Sequence, residues 1–203
     1  MNLPVMEAYT TKLKSMALSY PELKKGANLV LQGFNGDGIK EKALKENIFT
    51  VNTPSRIKEI AATVTKRIKV LDDTLLEKLA HGELETSKQV ALYTLLKTDR
   101  LFFEFMHEVY REKCQLREYV ITEKDFNTFF QRKSEQSEQV ASWRDCTYYK
   151  LKQVYKRVLV EAGYASKNKK NLQLTTPLVE QDLVDHLKSK GEQVYLEALQ
   201  GEA

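Results

Sequence analysis

Apolar residues along this chain recur mainly at steps of three and four, the spacing that places them on one face of an α-helix. In the first third this pattern predicts three helices, which begin near Pro21, near Gly38 and at Pro54. Glycines within 33–38 separate the first helix from the second, and Thr53 is the predicted N-cap of the third. Three helices with a glycine turn between the first two are typical of a helix-turn-helix unit.

The same pattern predicts which side chains form the core. The second helix should turn Ile39, Ala43 and Leu44 inward, whereas residues 1–20 are weakly patterned and we expect them to be partly frayed. The main core should come from large apolar residues of the segment 83–114, where aromatic residues at helical spacing indicate packing and not cofactor contact. These residues are Leu92, Leu95, Leu96, Leu101, Phe102, Phe105, Met106 and Val109.

The last third predicts a different order of elements. A helix should open at Thr122 in a capping-box-like pattern, a short second helix should follow, and a third should run from about Tyr148 to Ala162 and stop at Gly163. The stretch 164–176 combines a basic tip with β-favouring flanks, which favours a short hairpin. Three helices followed by a basic hairpin are the order of a winged helix-turn-helix. Two closing helices, split at Gly191, complete the chain.

Composition agrees with a helical globular protein. The chain has 203 residues, of which 42% are apolar and 30% charged, with only eight Gly and four Pro. We therefore predict an all-α fold, a compact multi-helix protein with two helix-turn-helix-like units, the C-terminal one with a short β wing. Residues 1–82 should form the N-terminal subdomain and residues 83–203 the C-terminal one, with the winged segment at about 122–176.

Cysteine usage and hydropathy predict the compartment. Cys114 and Cys146 form no CxxC pair, and we recognise no signal peptide, so both are expected to be reduced thiols of a cytoplasmic protein. No apolar run approaches the roughly 18 residues that a membrane helix needs. We expect a monomer with no membrane contact.

Charge is concentrated in two segments. Residues 142–170, the C-terminal island, hold eight Lys or Arg against two carboxylates, which gives +6, and residues 53–71, the N-terminal island, hold five against one, which gives +4. Because the whole chain carries only +4, the remainder must total −6. Two basic islands on an acidic body indicate a polyanionic partner.

Polar residues of the islands are the predicted DNA contacts. A helix that enters the major groove needs hydrogen-bonding residues near its start and cations along its flanks. Arg144 is the candidate for guanine, and Lys167, Lys169 and Lys170 would lie at the wing tip. Trp143 is expected to be a hydrophobic staple or a core anchor. The full predicted set is Arg56, Lys58, Lys66, Arg67, Lys69, Arg144, Thr147, Tyr148, Lys150, Lys152, Lys156, Arg157, Lys167, Lys169 and Lys170.

Motifs for catalysis are absent from the sequence. The chain has no Walker A loop, no GxSxG elbow and no HExxH pair, and its three histidines are isolated. His107 is predicted to be a packed or hydrogen-bonded histidine. We therefore predict no catalytic residue, no metal site and no cofactor.

Three stretches resemble a known family. "TSKQVALYTLLKTDRLFFEFMHEVYREK" (86–113), "FFQRKSEQSEQVASW" (129–143) and "KLKQVYKRVLVEAG" (150–163) are similar to the BrxA proteins of bacterial BREX (bacteriophage exclusion) systems. The resemblance implies a small, helical, non-enzymatic component of phage defence. It would act beside a DNA methyltransferase, a phosphatase-like protein and ATPases, and would bind double-stranded DNA.

The leading hypothesis is therefore a double-stranded DNA-binding accessory component of a BREX system, which binds mainly through basic helix surfaces. Two alternatives stay open. In the first alternative, the islands dock an acidic protein of the defence complex. In the second, the domain binds RNA. A third, simpler interpretation is that the lysines are the solvated faces of ordinary amphipathic helices.

Overall fold

The computed structural model describes residues 8–201, which form a mostly helical fold with a small three-stranded sheet. This confirms the predicted fold class, including the short β wing. Contacts divide the chain into two compact units. The N-terminal unit is Ser19–Thr98, and the C-terminal unit comprises the described residues up to Leu18 together with those from Asp99 onward.

The N-terminal unit consists of helices. They are α1 (Tyr20–Leu31), α2 (Gly36–Glu46), α3 (Pro54–Ile68), α4 (Asp73–His81) and α5 (Leu84–Thr98). The predicted boundary after residue 82 falls inside this unit, between α4 and α5, which pack against each other. The division into subdomains at that residue stays a prediction that expression of the separated parts would test.

Local sequence explains how α3 is placed. The side chain of Thr53 accepts the backbone N–H of Arg56 and Pro54 occupies the first helical turn, as predicted. Gly26 of α1 allows a close crossing, because a Cβ there would lie 2.4 Å from Cγ1 of Val64 in α3. The prediction for Leu44 was wrong: it is exposed, since Ile39 and Ala43 alone occupy the buried face of α2.

The C-terminal unit holds the remaining elements. After a 3₁₀ turn at Lys12–Lys14, they are α6 (Arg100–Phe105), a π-helical segment (Met106–Tyr110), α7 (Arg111–Gln115), β1 (Val120–Ile121), α8 (Glu123–Gln136), α9 (Glu138–Ala141), α10 (Asp145–Glu161), β2 (Ala165–Asn168), β3 (Asn171–Leu174), α11 (Gln181–Ser189) and α12 (Gln193–Gln200).

The N-terminal segment packs into this unit. Leu13, Met16 and Leu18 are buried, and the Gln139 side chain donates a hydrogen bond to the carbonyl oxygen of Tyr9 at 2.8 Å. The expectation of fraying was therefore wrong for residues 9–18, because their apolar side chains find partners remote in sequence. The part of that expectation that concerns residues 1–7 lies outside the described residues.

Aromatic rings form the centre of the C-terminal unit and position α10. The ring of Phe105 stacks on Phe126 of α8, with centroids 5.0 Å apart, and lies 5.1 Å from Tyr155 of α10. Tyr155 also meets the edge of Phe102 at 5.0 Å. Such pairs add to the free energy of burying large apolar area, so α10 is fixed in rotation with its opposite face turned outward.

A buried ion cluster explains the charge that interrupts "LFFEFM". Glu104 is buried, and its carboxylate accepts from Arg100 Nε at 2.8 Å, from Lys133 Nζ at 2.9 Å and from the Tyr9 hydroxyl. Burial and the adjacent carboxylate raise the pKa of Tyr9 to about 12. Because Tyr9 lies on the N-terminal segment and Lys133 on α8, the cluster fastens both of them to α6, which holds Glu104 and Arg100.

The wing is a three-stranded sheet in the order β1-β3-β2. The predicted hairpin pairs Lys167 with Leu172 and Asn168 with Asn171. β1, which sequence patterning did not predict, lies just before α8. Its residue Ile121 pairs with Leu172 of β3, and this pairing attaches the hairpin to the start of α8. At the other end, α10 stops at Gly163, whose φ of 85° is the left-handed conformation that glycine adopts without strain.

Candidate nucleic-acid interface

Helix α10 has one buried face and one exposed stripe. Leu151, Val154, Tyr155, Val158 and Leu159 are buried, as predicted. The exposed stripe consists of residues at helical spacing on the other face, which are Cys146, Tyr149, Lys150, Gln153 and Arg157. The fold therefore presents a continuous polar strip of helix to solvent.

The start of α10 is built differently from the prediction. Arg144 is exposed at the N-cap position, but Thr147 is buried and the Tyr148 hydroxyl donates to the carbonyl oxygen of Val140 at 2.6 Å. Trp143 packs against Tyr148 with centroids 6.1 Å apart, which is the predicted staple between the residues before and after the helix start. Thr147 and Tyr148 thus hold the helix start in place.

Two predicted cations are engaged within the unit. Lys156 forms an ion pair with Glu123 at the start of α8, and Lys152 Nζ lies 2.9 Å from the side-chain oxygen of Asn127 and 3.9 Å from Glu123. Both side chains lean toward α8, away from the centre of the exposed stripe. Glu123 therefore holds two lysines that a ligand would otherwise meet.

The wing tip carries three exposed lysines, Lys167, Lys169 and Lys170. Lys169 and Lys170 form the two-residue turn between β2 and β3, and Lys169 has a φ of 53°. Glycine or asparagine adopts that left-handed conformation more easily than lysine. The hairpin alone does not explain a lysine here, and strained residues of this kind concentrate at functional sites.

A basic cleft lies between α10 and the wing. It is an open groove of about 380 Å³. Its lining residues are Glu123, Gln153, Lys156, Arg157, Lys167, Lys169, Lys170, Asn171 and Leu172. Five cations and one carboxylate therefore face a common space.

The electrostatics of the basic cleft favour an anionic ligand. In the described part of the chain, Arg157, Lys167, Lys169 and Lys170 have no hydrogen-bond or ion-pair partner. Like charges held together raise the local positive potential, and a phosphate that enters releases its condensed counterions. The arrangement is suited to binding phosphates.

The N-terminal island is organised differently. Arg67 is only 4% exposed, Arg56 pairs with Glu59 at 2.7 Å, and Lys66 Nζ lies 3.5 Å from the carbonyl oxygen of Thr98. Lys58 and Lys69 are the island's exposed cations that have no partner among the described residues. They stand eleven residues apart, roughly 16 Å along a helix.

Tyr149 and Gln153 are surface residues that charge counting missed. Tyr149 is 61% exposed, and Gln153 lines the basic cleft. Their spacing in the sequence could have identified them. Both lie opposite the apolar stripe of α10, three or four residues from predicted contacts. They were missed because neither is charged.

The described structure gives little support for metal binding, for chemistry at histidine or cysteine, or for a membrane span. No group of three or more metal-ligating side chains is found within residues 8–201. His107 stacks on Phe103 with centroids 5.8 Å apart, which confirms a packed histidine, and burial lowers its pKa. Cys114 and Cys146 are free thiols, the first buried and the second exposed. Across the same residues, no helix has the length and hydropathy required to cross a membrane.

Comparison with known proteins decides the family. The family model BrxA matches residues 7–191 of this chain. The chain belongs to the BrxA family. No enzyme class is indicated by that match.

Three relatives of the BrxA family carry the name "BREX protein BrxA". The protein of Bacillus cereus (strain H3081.97) is 50% identical over 196 residues, which are 97% of this chain and 98% of the relative. That of Paramagnetospirillum magneticum is 21% identical and spans 95% and 96% of the two chains. That of Escherichia coli O9:H4 is 24% identical and spans 86% and 82%. The family is thus one of BREX phage-defence components.

A solved structure shares the fold. The crystal structure of an uncharacterized protein from Magnetospirillum magneticum superimposes with a TM-score of 0.83 at 21% identity, and the match covers 96% of this chain and all of that one. That protein and this chain therefore share a fold.

Proposed function

We propose that this BrxA-family protein is a non-enzymatic component of a BREX phage-defence system that binds double-stranded DNA. Family membership supports the BREX assignment, and the basic cleft supports the ligand. The proposal needs no cofactor and no second copy of the chain, and it places the protein beside the other BREX proteins in the cytoplasm.

The observation that carries the proposal is the basic cleft between α10 and the wing. α8, α9, α10 and the hairpin follow one another in the order of a winged helix-turn-helix, in which the third helix enters the major groove. The exposed stripe of α10 would enter the groove, where its uncharged residues would face the bases, and its cations and the lysines of the wing would contact backbone phosphates. Arg144, at the exposed helix start, remains the candidate for guanine.

The N-terminal island has a smaller part in the proposal. Lys58 and Lys69 are suited to isolated phosphate contacts, whereas Arg67 is a structural residue. Binding should therefore depend on the C-terminal unit, and the first helix-turn-helix-like unit should contribute mainly through its general charge.

A titration against duplex DNA, single-stranded DNA and RNA at several salt concentrations tests the proposal. Duplex binding should be the tightest, and its logarithm should fall linearly with the logarithm of salt. If the exposed cations Lys150, Arg157, Lys167, Lys169 and Lys170 each neutralise one phosphate, the slope should be about −4 to −5. Tighter binding of RNA, or no binding of any nucleic acid at low salt, would overturn the proposal in favour of RNA or an acidic protein partner.

A matched pair of variants locates the surface. Lys167→Glu reverses an exposed charge that lines the basic cleft, and Lys188→Glu reverses an exposed charge of α11 that does not. The first should weaken duplex binding at least tenfold more than the second, because both change the net charge equally and only one removes a phosphate contact. Equal effects would mean that the cleft is not the contact surface.

A further inference from the structure

Most exposed groups beside the basic cleft are cations, and cations alone do not explain every side chain there. Contacts to phosphate fix where a protein sits on a duplex but carry no sequence information directly. Sequence is read by side chains that hydrogen-bond to base edges in the major groove. The exposed stripe of α10 contains one uncharged side chain of that kind, the amide of Gln153.

The amide of Gln153 is available to a ligand. Gln153 is exposed and lines the basic cleft, and its side chain has no hydrogen-bond partner among residues 8–201. Two amides of α8 are already engaged: Asn127 accepts from Lys152 and Gln131 donates to Glu135. An exposed glutamine with both its donor and its acceptor unused, at the middle of the exposed stripe, can form a bidentate contact.

Its neighbours would hold it in register. Lys150 lies three residues before Gln153 and Arg157 four residues after, both exposed on the same stripe. At 1.5 Å per residue the two cations are about 10 Å apart along the axis, so phosphate contacts at both would restrict sliding and rotation of the helix. The amide between them would then meet base edges at a defined position.

The geometry points to Gln153 as a specificity-determining residue that reads adenine in the major groove of bound duplex DNA. A glutamine amide accepts from the adenine N6 amino group and donates to N7, a pair of contacts that guanine, cytosine and thymine do not offer in that order. The inference rests on the proposed function, since it assigns a sequence preference to the same surface.

Selection from a pool of randomised duplexes tests it. The wild-type protein should enrich duplexes with an adenine at one position, and replacing that adenine by another base should lower affinity about tenfold. Replacing it by 7-deazaadenine, which lacks the N7 acceptor, should also weaken binding. In Gln153→Ala the ratio between adenine and the other bases should fall to less than about twofold.

Lys150→Ala is the control. It removes a neighbouring phosphate contact, so it should weaken binding equally for all sequences, reduce the salt slope by about 1 and keep the preference for adenine. Circular dichroism and thermal melting of both variants should match the wild type, because both side chains are exposed.

The outcomes separate the two proposals. Duplex binding without any base preference, or a preference that Gln153→Ala retains, overturns the role of Gln153 and leaves duplex binding in place. Failure of the wild-type protein to bind duplex DNA at low salt overturns the proposed function itself. Loss of the preference in Gln153→Ala alone supports the inference.

Discussion

The two basic islands look alike in the sequence and differ in the structure. Each contains an amphipathic helix with lysines and arginines off its apolar stripe. In α3 a buried Arg67, an ion pair of Arg56 with Glu59 and a contact of Lys66 with a carbonyl engage most of the charge. In α10 and the wing, Arg157, Lys167, Lys169 and Lys170 line a common cleft.

The difference shows that clustering of charges in sequence does not determine whether they converge in space. In the N-terminal island Lys58 and Lys69, the exposed cations without a partner among the described residues, stand eleven residues apart along α3 and its C-cap, whereas the C-terminal island is folded back on itself by the turn at Gly163. The hairpin brings the charges of 167–170 to the side of those at 156–157. Several cations that converge on one surface are suited to holding a run of phosphates.

The largest expected effect compares the islands directly. Arg157→Glu with Lys167→Glu should weaken duplex DNA binding about 100-fold, because two phosphate contacts become repulsive. Lys58→Glu with Lys69→Glu changes the net charge by the same amount and should stay within about fivefold of the wild type. Fluorescence anisotropy at fixed salt measures both. Equal losses would erase the difference between the islands.

The next effect concerns stability. Arg67→Ala should lower the free energy of unfolding by about 2 kcal/mol, because a buried side chain with its interactions is removed from α3. Urea denaturation measures this, and Lys69→Ala, an exposed neighbour, should stay within about 0.5 kcal/mol. DNA affinity of folded Arg67→Ala should be unchanged. A loss of affinity without a loss of stability would make Arg67 a contact residue.

A gain of binding is expected at the cleft carboxylate. Glu123→Gln should tighten duplex binding about fivefold at low salt, because it removes a negative charge from the basic cleft and releases Lys152 and Lys156 toward phosphate. The salt slope should become steeper by about 1. Asp182→Asn, which removes an exposed charge of α11 that does not line the cleft, is the matched control. Unchanged affinity in Glu123→Gln would show that the ion pair with Lys156 does not compete with DNA.

The smallest expected effect is on the pH dependence of stability, and it distinguishes the N-cap of α3 from that of α8. α3 is capped by Thr53 with Arg56 in its first turn, whereas α8 begins with a reciprocal box of Thr122 and Asp125. Burial opposes ionisation of Asp125, but hydrogen bonds from Thr122 and the ion pair with Lys113 at 3.2 Å hold its pKa below its usual value.

Because the folded-state pKa of Asp125 lies below the unfolded one, its carboxylate stabilises the fold above about pH 4. That contribution is lost as the pH falls through the folded-state value. Denaturation measured between pH 3 and 7 should show that Asp125→Asn loses less of its free energy of unfolding on acidification than the wild type does. A loss of stability on acidification in Asp125→Asn identical to that of the wild type would exclude the effect.

Much of the fold followed from local chemistry. Helix starts at Pro54 and Thr122, the stop at Gly163 and the buried face of α10 were predictable, since caps, glycine turns and apolar spacing act within a few residues. β1 was not, because two residues carry no period and their pairing with β3 spans about fifty residues. The burial of 9–18 was missed for the same reason.

The candidate surface was predictable only in part. Lys150, Arg157 and the wing lysines were identified from charge, and the structure leaves them exposed. Charge counting did not reveal that Lys152 and Lys156 pair with Glu123, that Thr147 is buried, or that Gln153 lies between two cations. Each of those facts depends on which side of α10 meets α8, and aromatic packing around Tyr155 sets that rotation.

The sequence by itself determined the helical class, the order of helix, helix, helix and wing, and a family resemblance that the comparison with known proteins confirmed. The helical class and the order of elements depend on residues close together along the chain, and the family resemblance depends on stretches of similar sequence. Only the tertiary structure decided which charges remain available and which side chains line a common cleft. Exposure and convergence are properties of pairs of residues far apart in sequence, and no local pattern records them.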